Sequence, residues 1–411
     1  MPTTALLCIS RFLFLILAAW FPSPGSIPHG STLSCKTETP PKMLNQVATL
    51  SGSIAKRALE MRETYIGDGE GNMNELPGWA WLVFFADFLV FFPVFLYIGY
   101  TLAHIYPTLA MIEDPEPPPY EPVDLNEDAD SVAEDNAPLS DRPFKVDQEP
   151  VLVTSSLRRV NRLLMTTAGW TANFRGLPCA FVLSVAAGFS GLIFSGIPFV
   201  PRSVGVLLAT LVTVQLSTAW THIVISAPST LRFYQRLPPF KKTFEATVVP
   251  IVAHWAATQL VGYLPIFLAY VLGLARWDVR NPTHVPEYQG DAVWKSLLIV
   301  IVVVGAMVFL VIPTQVVLVR VQASLLPPDE SPILAFDRSF AGKVEPPVVG
   351  GKGYVNFKDA WMTFSRQSWI RLYKLIGKVL VVTFCVYIVV VAIVVPEFIL
   401  MVKASKPIDS N

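Results

Sequence analysis

The chain is poor in charge and in cysteine, and each shortage excludes a class of protein. Only 15% of its 411 residues are charged, whereas soluble proteins have roughly 25%. Its four cysteines are too few for a disulfide framework. Two of them, Cys179 and Cys385, lie in apolar runs, where small buried hydrophobic side chains are expected. The formal net charge is zero, which disfavours a nucleic-acid partner bound through global charge.

Recognisable catalytic motifs are also missing. The sequence has no Gly-x-Ser-x-Gly, His-Glu-x-x-His or kinase signature. The segment Gly350–Gly353 lacks the spacing of a phosphate-binding loop, and no Cys/His cluster has metal-ligand spacing. We therefore predict no enzyme active site, no metal site and no cofactor.

Apolar residues are abundant and come in long runs. They make up 53% of the chain, and six runs are long enough to cross about 30 Å of hydrocarbon. These runs are approximately 79–106, 177–198, 203–226, 247–274, 293–319 and 375–400. The sequence predicts an all-α, polytopic integral membrane protein with about six transmembrane helices and additional interfacial amphipathic helices.

The predicted organisation has seven parts. Residues 1–42 are a signal-like segment with a Pro/Ser tail, which we interpret as a targeting signal, an uncleaved anchor or the product of a wrong start before Met43. The others are an amphipathic helical tail (43–78), a first span (79–106), a disordered acidic linker with a basic approach (107–176), a four-helix core (177–320), a loop with an interfacial helix (321–374) and a last span with a short tail (375–411).

The distribution of basic residues predicts the topology. Sixteen Lys and Arg residues near the span ends lie on the side of the linker, and seven lie on the opposite side. Because basic residues concentrate on the cytosolic side, residues 107–176 should be cytosolic and both chain ends lumenal or extracellular. This topology predicts an integral protein of the secretory pathway or the plasma membrane, with membrane lipids as partners.

The linker contains the most specific short motif. Residues 113–150 have 13 acids, two basic residues and eight prolines, a composition typical of disorder. Within them, Pro117, Pro118 and Tyr120 match the Pro-Pro-x-Tyr ligand of WW domains, whose aromatic grooves bind a preformed polyproline II helix. The alternative is a chance match in a proline-rich segment.

Polar residues inside the apolar runs are candidates for function because they are costly in hydrocarbon. The candidates are Asp87, His222, His254, Gln315 and Glu397. Antiparallel neighbouring spans would bring His222 and His254 to a similar depth, which permits a proton relay or a bis-imidazole haem site. The alternative is ordinary hydrogen bonding between helices.

Two stretches carry a family resemblance. They are MLNQVATLSGSIAKRALEMRETYIGDGEGNMNELPGWAW, from Met43, and DAWMTFSRQSWIRLYKLIGK, from Asp359. With them, most of the chain resembles an uncharacterised fungal family of multi-pass membrane proteins, sometimes labelled "ubiquitin carrier protein". The resemblance implies a membrane protein but no conjugating activity, since the His-Pro-Asn motif and active cysteine of conjugating enzymes are missing.

These observations favour a non-enzymatic scaffold or adaptor. We expect it to offer the Pro117–Tyr120 motif to a WW-domain ubiquitin ligase of the HECT type. The alternative is a transporter or channel that uses the intramembrane polar residues.

Overall fold

The structure is a computed structural model, and it describes residues 74–75, 77–114, 152–274, 291–334, 336–345, 350–404 and 406–407. Three predictions therefore lie outside the described residues: the signal-like segment 1–42, nearly all of the amphipathic tail 43–78, and the Pro-Pro-x-Tyr motif. The described part is helical, apart from one antiparallel pair of two-residue strands, β1 and β2.

The elements follow one another along the chain with few irregular stretches. In the first half they are β1 (Asn74–Glu75), α1 (Ala80–Leu96), a π-helical segment (Tyr97–Ile105), α2 (Tyr106–Ile112), α3 (Leu157–Ala168), α4 (Leu177–Ser195), α5 (Arg202–Val212) and α6 (Val214–Ile225). In the second half they are α7 (Phe240–Val271), α8 (Ala292–Ala306), a second π-helical segment (Met307–Val311), α9 (Ile312–Ser324), α10 (Phe357–Met362), α11 (Arg366–Ala404) and β2 (Lys406–Pro407). Short 3-10 turns lie at Val153–Ser155, Trp170–Phe174 and Phe233–Arg236.

The helices confirm a multi-pass membrane fold. Five helical stretches are long and apolar enough to cross a bilayer, namely Ala80–Ile112, Trp170–Ser195, Phe240–Val271, Ala292–Ser324 and Arg366–Met401. The pair α5 and α6 meets the same criteria together and makes a sixth span if it is counted as one. Large apolar side chains of these helices face outward, for example Phe88 and Phe309, as lipid-facing residues do.

Proline explains the two π-helical segments. The first ends just before Tyr106-Pro107 and the second just before Ile312-Pro313. The backbone N–H of the residue before each proline bonds five residues back, Tyr106 to Thr101 and Ile312 to Met307. A proline ring crowds the carbonyl four residues earlier, and a wider turn relieves that crowding without interrupting the span.

The third predicted span is bent rather than straight. Helices α5 and α6 meet at Thr213 with an angle of 58°. The Thr213 hydroxyl donates to the Ala209 carbonyl at 2.9 Å, a local bond that competes with the regular helix and favours bending. Above the bend, Gly205 of α5 lies so close to Ser195 of α4 that a Cβ atom would come within 2.7 Å of its Oγ.

The first and last spans run antiparallel along their whole length. At one end β1 pairs with β2, and Asn74 faces Pro407. Near the middle the Phe95 and Tyr387 rings lie 5.9 Å apart. At the other end Glu113 contacts Arg371. The described segments nearest the two chain termini therefore lie at the same end of the bundle, and the loops after α2, α6 and α9 lie at the opposite end, which we call the loop end.

The main core lies toward the loop end. Helix α2 is almost fully buried there, with Leu109 and Met111 each 1% exposed. It packs with Val160 of α3 and Leu372 of α11 in one apolar cluster. The predicted linker boundary at residue 107 is thus wrong, because residues 107–112 continue the first helix and bury apolar side chains.

The predicted interfacial helix before the last span is also corrected. Its proposed face of Phe364, Ser368 and Leu372 is buried in the protein, at 5%, 1% and 0% exposure. Only the short helix α10 precedes the break, and α11 begins at Arg366. The spacing that predicted a membrane-facing stripe instead marks contact with the core.

Candidate functional site

The two ends of the acidic linker meet at Glu113, which follows helix α2. Its carboxylate accepts hydrogen bonds from the backbone N–H of Val153 at 2.6 Å and of Thr154 at 3.1 Å. The Thr154 hydroxyl donates to the same carboxylate. Residues separated by 40 positions are thereby held together, and Glu113 closes the segment 114–152 into a loop.

Arg371 of α11 completes this contact. Its guanidinium donates to the Glu113 backbone carbonyl at 2.6 Å and lies 3.4 Å from the Glu113 carboxylate. Both residues are buried, at 7% and 4% exposure. An ion pair withdrawn from water is costly to break, because the remaining charge would lose its partner. We call Glu113, Val153, Thr154 and Arg371 the linker anchor.

Other charged contacts fix the neighbouring loops at the same end. Arg236 forms an ion pair with Glu330 and donates to the Ser226 hydroxyl at 2.5 Å. Arg320 donates to the Ala360 carbonyl at 3.1 Å and lies over the Phe340 ring. The linker anchor therefore belongs to a loop end whose segments are cross-linked by arginine.

The intramembrane candidate His222 takes part in a contact between α6 and α9. Its Nε2 lies 2.9 Å from the Gln322 carbonyl oxygen. The Gln322 side chain accepts from the Thr221 hydroxyl at 2.8 Å and donates to the Ser217 hydroxyl at 3.1 Å. Gln322, which was not among the sequence candidates, is the residue that joins the two helices.

His254 makes a separate contact. Its Nδ1 lies 3.1 Å from the Thr314 hydroxyl. Thr314 and Gln322 both belong to α9 but are eight residues apart, which corresponds to about 12 Å along a helix. The expectation that His222 and His254 lie at a similar depth is therefore wrong. The expected hydrogen bonds between helices are present at both histidines.

Asp87 and Glu397 are brought together, although they are 310 positions apart in the sequence. Their side chains are hydrogen-bonded between α1 and α11. Asp87 lies seven residues after the start of α1, about 10 Å along the helix axis. An ionised carboxylate only accepts hydrogen bonds, so a bond between two carboxyl groups requires a proton on one of them.

The remaining candidates form no common site with these residues. Gln315 is buried on α9, at 8% exposure. Pro117, Pro118 and Tyr120 lie outside the described residues, four to seven positions after Glu113. Within the described ranges, no group of three or more His, Cys, Asp or Glu side chains has the geometry to hold a metal ion.

The linker anchor was not predicted from the sequence, since Glu113 reads as the first of 13 acids and Arg371 as one of many basic residues. One signal was available. Glu113 directly follows an apolar segment and is therefore the acid closest to the helical bundle. An acid so close to apolar residues needs a basic partner, although the sequence does not show which one.

Comparison with family models, with curated proteins and with solved structures gives no match for this chain.

Proposed function

We propose that this protein is a membrane-embedded adaptor that displays the Pro117–Tyr120 motif to a WW-domain protein, most suitably a ubiquitin ligase of the HECT type. The observation that carries the proposal is the linker anchor. Glu113 ties both ends of the acidic linker to the helical bundle, so the linker is held at one place instead of hanging from a free end.

The anchor limits where the motif can lie. Tyr120 follows Glu113 by seven residues, and a fully extended chain of that length reaches about 25 Å. A bound WW domain would thus stand close to the membrane surface. This position suits modification of the protein itself, and the exposed side chain of Lys241, at the loop end, is a suitable acceptor.

The polar contacts inside the bundle fit a static platform. His222 and His254 each have a hydrogen-bond contact across helices. Such contacts join helices, whereas a relay would need a chain of groups that exchange protons. The alternative of a transporter or channel draws support from the hydrogen-bonded carboxyl groups of Asp87 and Glu397, which lie within the spans.

A peptide of residues 113–125 titrated with purified WW domains tests the adaptor proposal. We expect dissociation constants of about 10 μM, or roughly 7 kcal/mol, as for single linear motifs. Tyr120→Ala should abolish binding because the aromatic anchor is lost. Pro122→Ala, two residues beyond the motif, is the matched control and should bind as the wild type does. A peptide that binds no WW domain of the source organism at high micromolar concentration would refute the proposal.

The proposal also requires a cytosolic linker. An epitope inserted at Ser131 should be reached by antibody only when the cytosolic face is open, and one placed after Lys406 only from the other face. Detection of both epitopes from the same side would show that the span count between them is wrong. Detection of the Ser131 epitope from the lumenal side alone would remove the WW domain's access to the motif.

A further inference from the structure

Helix α3 carries a strongly basic exposed face. Arg158, Arg159 and Arg162 are exposed on it, and Lys374 and Lys378 are exposed on α11. We call these five residues the α3 basic surface.

The fold holds α3 in one orientation. Val160 and Leu164 are both fully buried against the core, so the helix cannot roll about its axis without exposing them. Positions 158 and 162 are one helical turn apart and lie on one face. The arginines are therefore directed away from the core by the packing beneath them.

The basic residues of the two helices converge on one short segment. Lys378 Nζ donates to the Ser155 carbonyl at 2.9 Å. Arg159 Nη1 donates to the Ser155 hydroxyl at 3.3 Å and lies 3.5 Å from the Leu152 carbonyl. The positive charges of α3 and α11 are consequently neighbours at the start of α3.

Several features place the surface at the boundary of the hydrocarbon. Lys378 is the last basic residue of α11 before a lipid-facing stretch in which Val381 and Phe384 are exposed by 63% and 54%. At the other end of α3, the indole of Trp170 is 71% exposed. Tryptophan and the charged ends of lysine and arginine side chains are typical of the headgroup level.

The elements that carry this surface supply no acid to neutralise it. The sequence has no Asp or Glu between residues 151 and 244, nor between residues 360 and 396. Its one buried acid neighbour, Glu113, already pairs with Arg371. The positive potential at the headgroup level is therefore left for an external anion.

We propose that the α3 basic surface binds the phosphorylated headgroup of an anionic phospholipid in the same leaflet. Phosphate oxygens accept paired hydrogen bonds from guanidinium groups, and the lysines add point charges beside them. This inference is independent of the adaptor proposal, since it requires neither the Pro-Pro-x-Tyr motif nor a WW domain.

Lipid retention by the purified full-length protein tests the inference. Native mass spectrometry in a neutral detergent would compare phosphatidylserine, a phosphatidylinositol phosphate and phosphatidylcholine with matched acyl chains. We expect both anionic lipids to be retained and phosphatidylcholine to be lost. At about 1 kcal/mol for each basic residue, the triple variant R158Q/R159Q/R162Q should bind anionic lipid roughly 100-fold more weakly.

Two variants keep this test specific. R232Q/K241Q/K343Q removes three exposed charges elsewhere at the loop end and should bind as the wild type does. R158K/R159K/R162K keeps the charge and should retain most of the binding, which separates loss of charge from loss of folding. Equal weakening in both glutamine variants would overturn the inference, as would equal retention of all three lipids. Anionic lipid binding that appears only after deletion of residues 115–150 would assign the surface to the acidic linker instead.

Discussion

Glu113 and Arg371 form a buried ion pair between the end of the first span and the beginning of the last, although 258 positions separate them in the sequence. The same carboxylate holds the backbone of Val153 and Thr154. One acid therefore joins the first span, the last span and the far end of the linker.

Substitution of one partner of this pair should loosen the linker. Glu113→Gln leaves Arg371 buried without its counter-charge, which costs about 3–5 kcal/mol when a buried pair is broken. We expect a lower thermal unfolding midpoint and faster amide hydrogen exchange at Val153 and Thr154. Lys374→Gln, one turn after Arg371 but exposed, is the matched control and should change neither quantity. Unaltered exchange in Glu113→Gln would contradict the role of Glu113 as anchor.

The two histidines should behave independently. His222→Gln and His254→Gln should each lower the free energy of unfolding by about 1 kcal/mol, close to the value of hydrogen bonds between membrane helices. Because their partners are about 12 Å apart along α9, the double variant should equal the sum within about 0.5 kcal/mol. We also expect no Soret band in the wild-type protein. A coupling well above 1 kcal/mol, or a Soret band lost in either variant, would show that the histidines share a site.

The Asp87–Glu397 contact predicts a shared proton. Infrared spectra of the wild-type protein should contain the carbonyl stretch of a protonated carboxylic acid near neutral pH, since the hydrogen bond requires one. The band should disappear in the Asp87→Asn/Glu397→Gln double variant, where the amides keep a hydrogen bond without a titratable proton. Cys385→Ser, on the same helix, is a control that should leave the band in place. A wild-type spectrum identical to that of the double variant would exclude the shared proton.

The loop around Asp337 should respond to acid. Partial burial acts to raise the pKa of Asp337, but hydrogen bonds from Ser339 and from the Ala341 backbone N–H outweigh it and hold the pKa below its ordinary value. A depressed carboxyl pKa contributes stability that is complete above the ordinary value of about 3.9 and is lost as pH falls through the lower folded value.

Limited proteolysis of this loop between pH 6 and pH 3 would measure that loss. The wild-type loop should become susceptible only at the acid end of the range, and Asp337→Asn should be susceptible throughout. Asp359→Asn is a control whose loop should keep the wild-type profile. Equal susceptibility of the wild-type protein at all pH values would show that Asp337 does not hold the loop.

Much of the fold was accessible from the sequence because hydrocarbon imposes a simple rule on helices. A span must be apolar over about 20 residues, so runs such as 293–319 identify themselves. The rule sees lipid-facing surfaces well and buried surfaces poorly. Residues 107–112 were assigned to the linker because the adjoining acids and prolines dominate the local composition, although these six residues pack into the core.

The contacts of the candidate site were harder to predict, since they depend on which helices are neighbours. Spacing placed His222 and His254 correctly on spans, but it could not show that each would find its partner on α9. The antiparallel arrangement of the first and last spans, which brings Asp87 to Glu397 and Glu113 to Arg371, is a tertiary relationship without a local sequence signal.

The adaptor function is tested most directly by binding of a purified tandem WW domain to the full-length protein in lipid nanodiscs, measured for the wild type, Tyr120→Ala and Pro122→Ala. We expect saturable binding near 10 μM for the wild type and Pro122→Ala, a free energy of roughly 7 kcal/mol, and none for Tyr120→Ala. Equal binding by all three proteins, or by none of them, would contradict the proposal that this protein presents the motif.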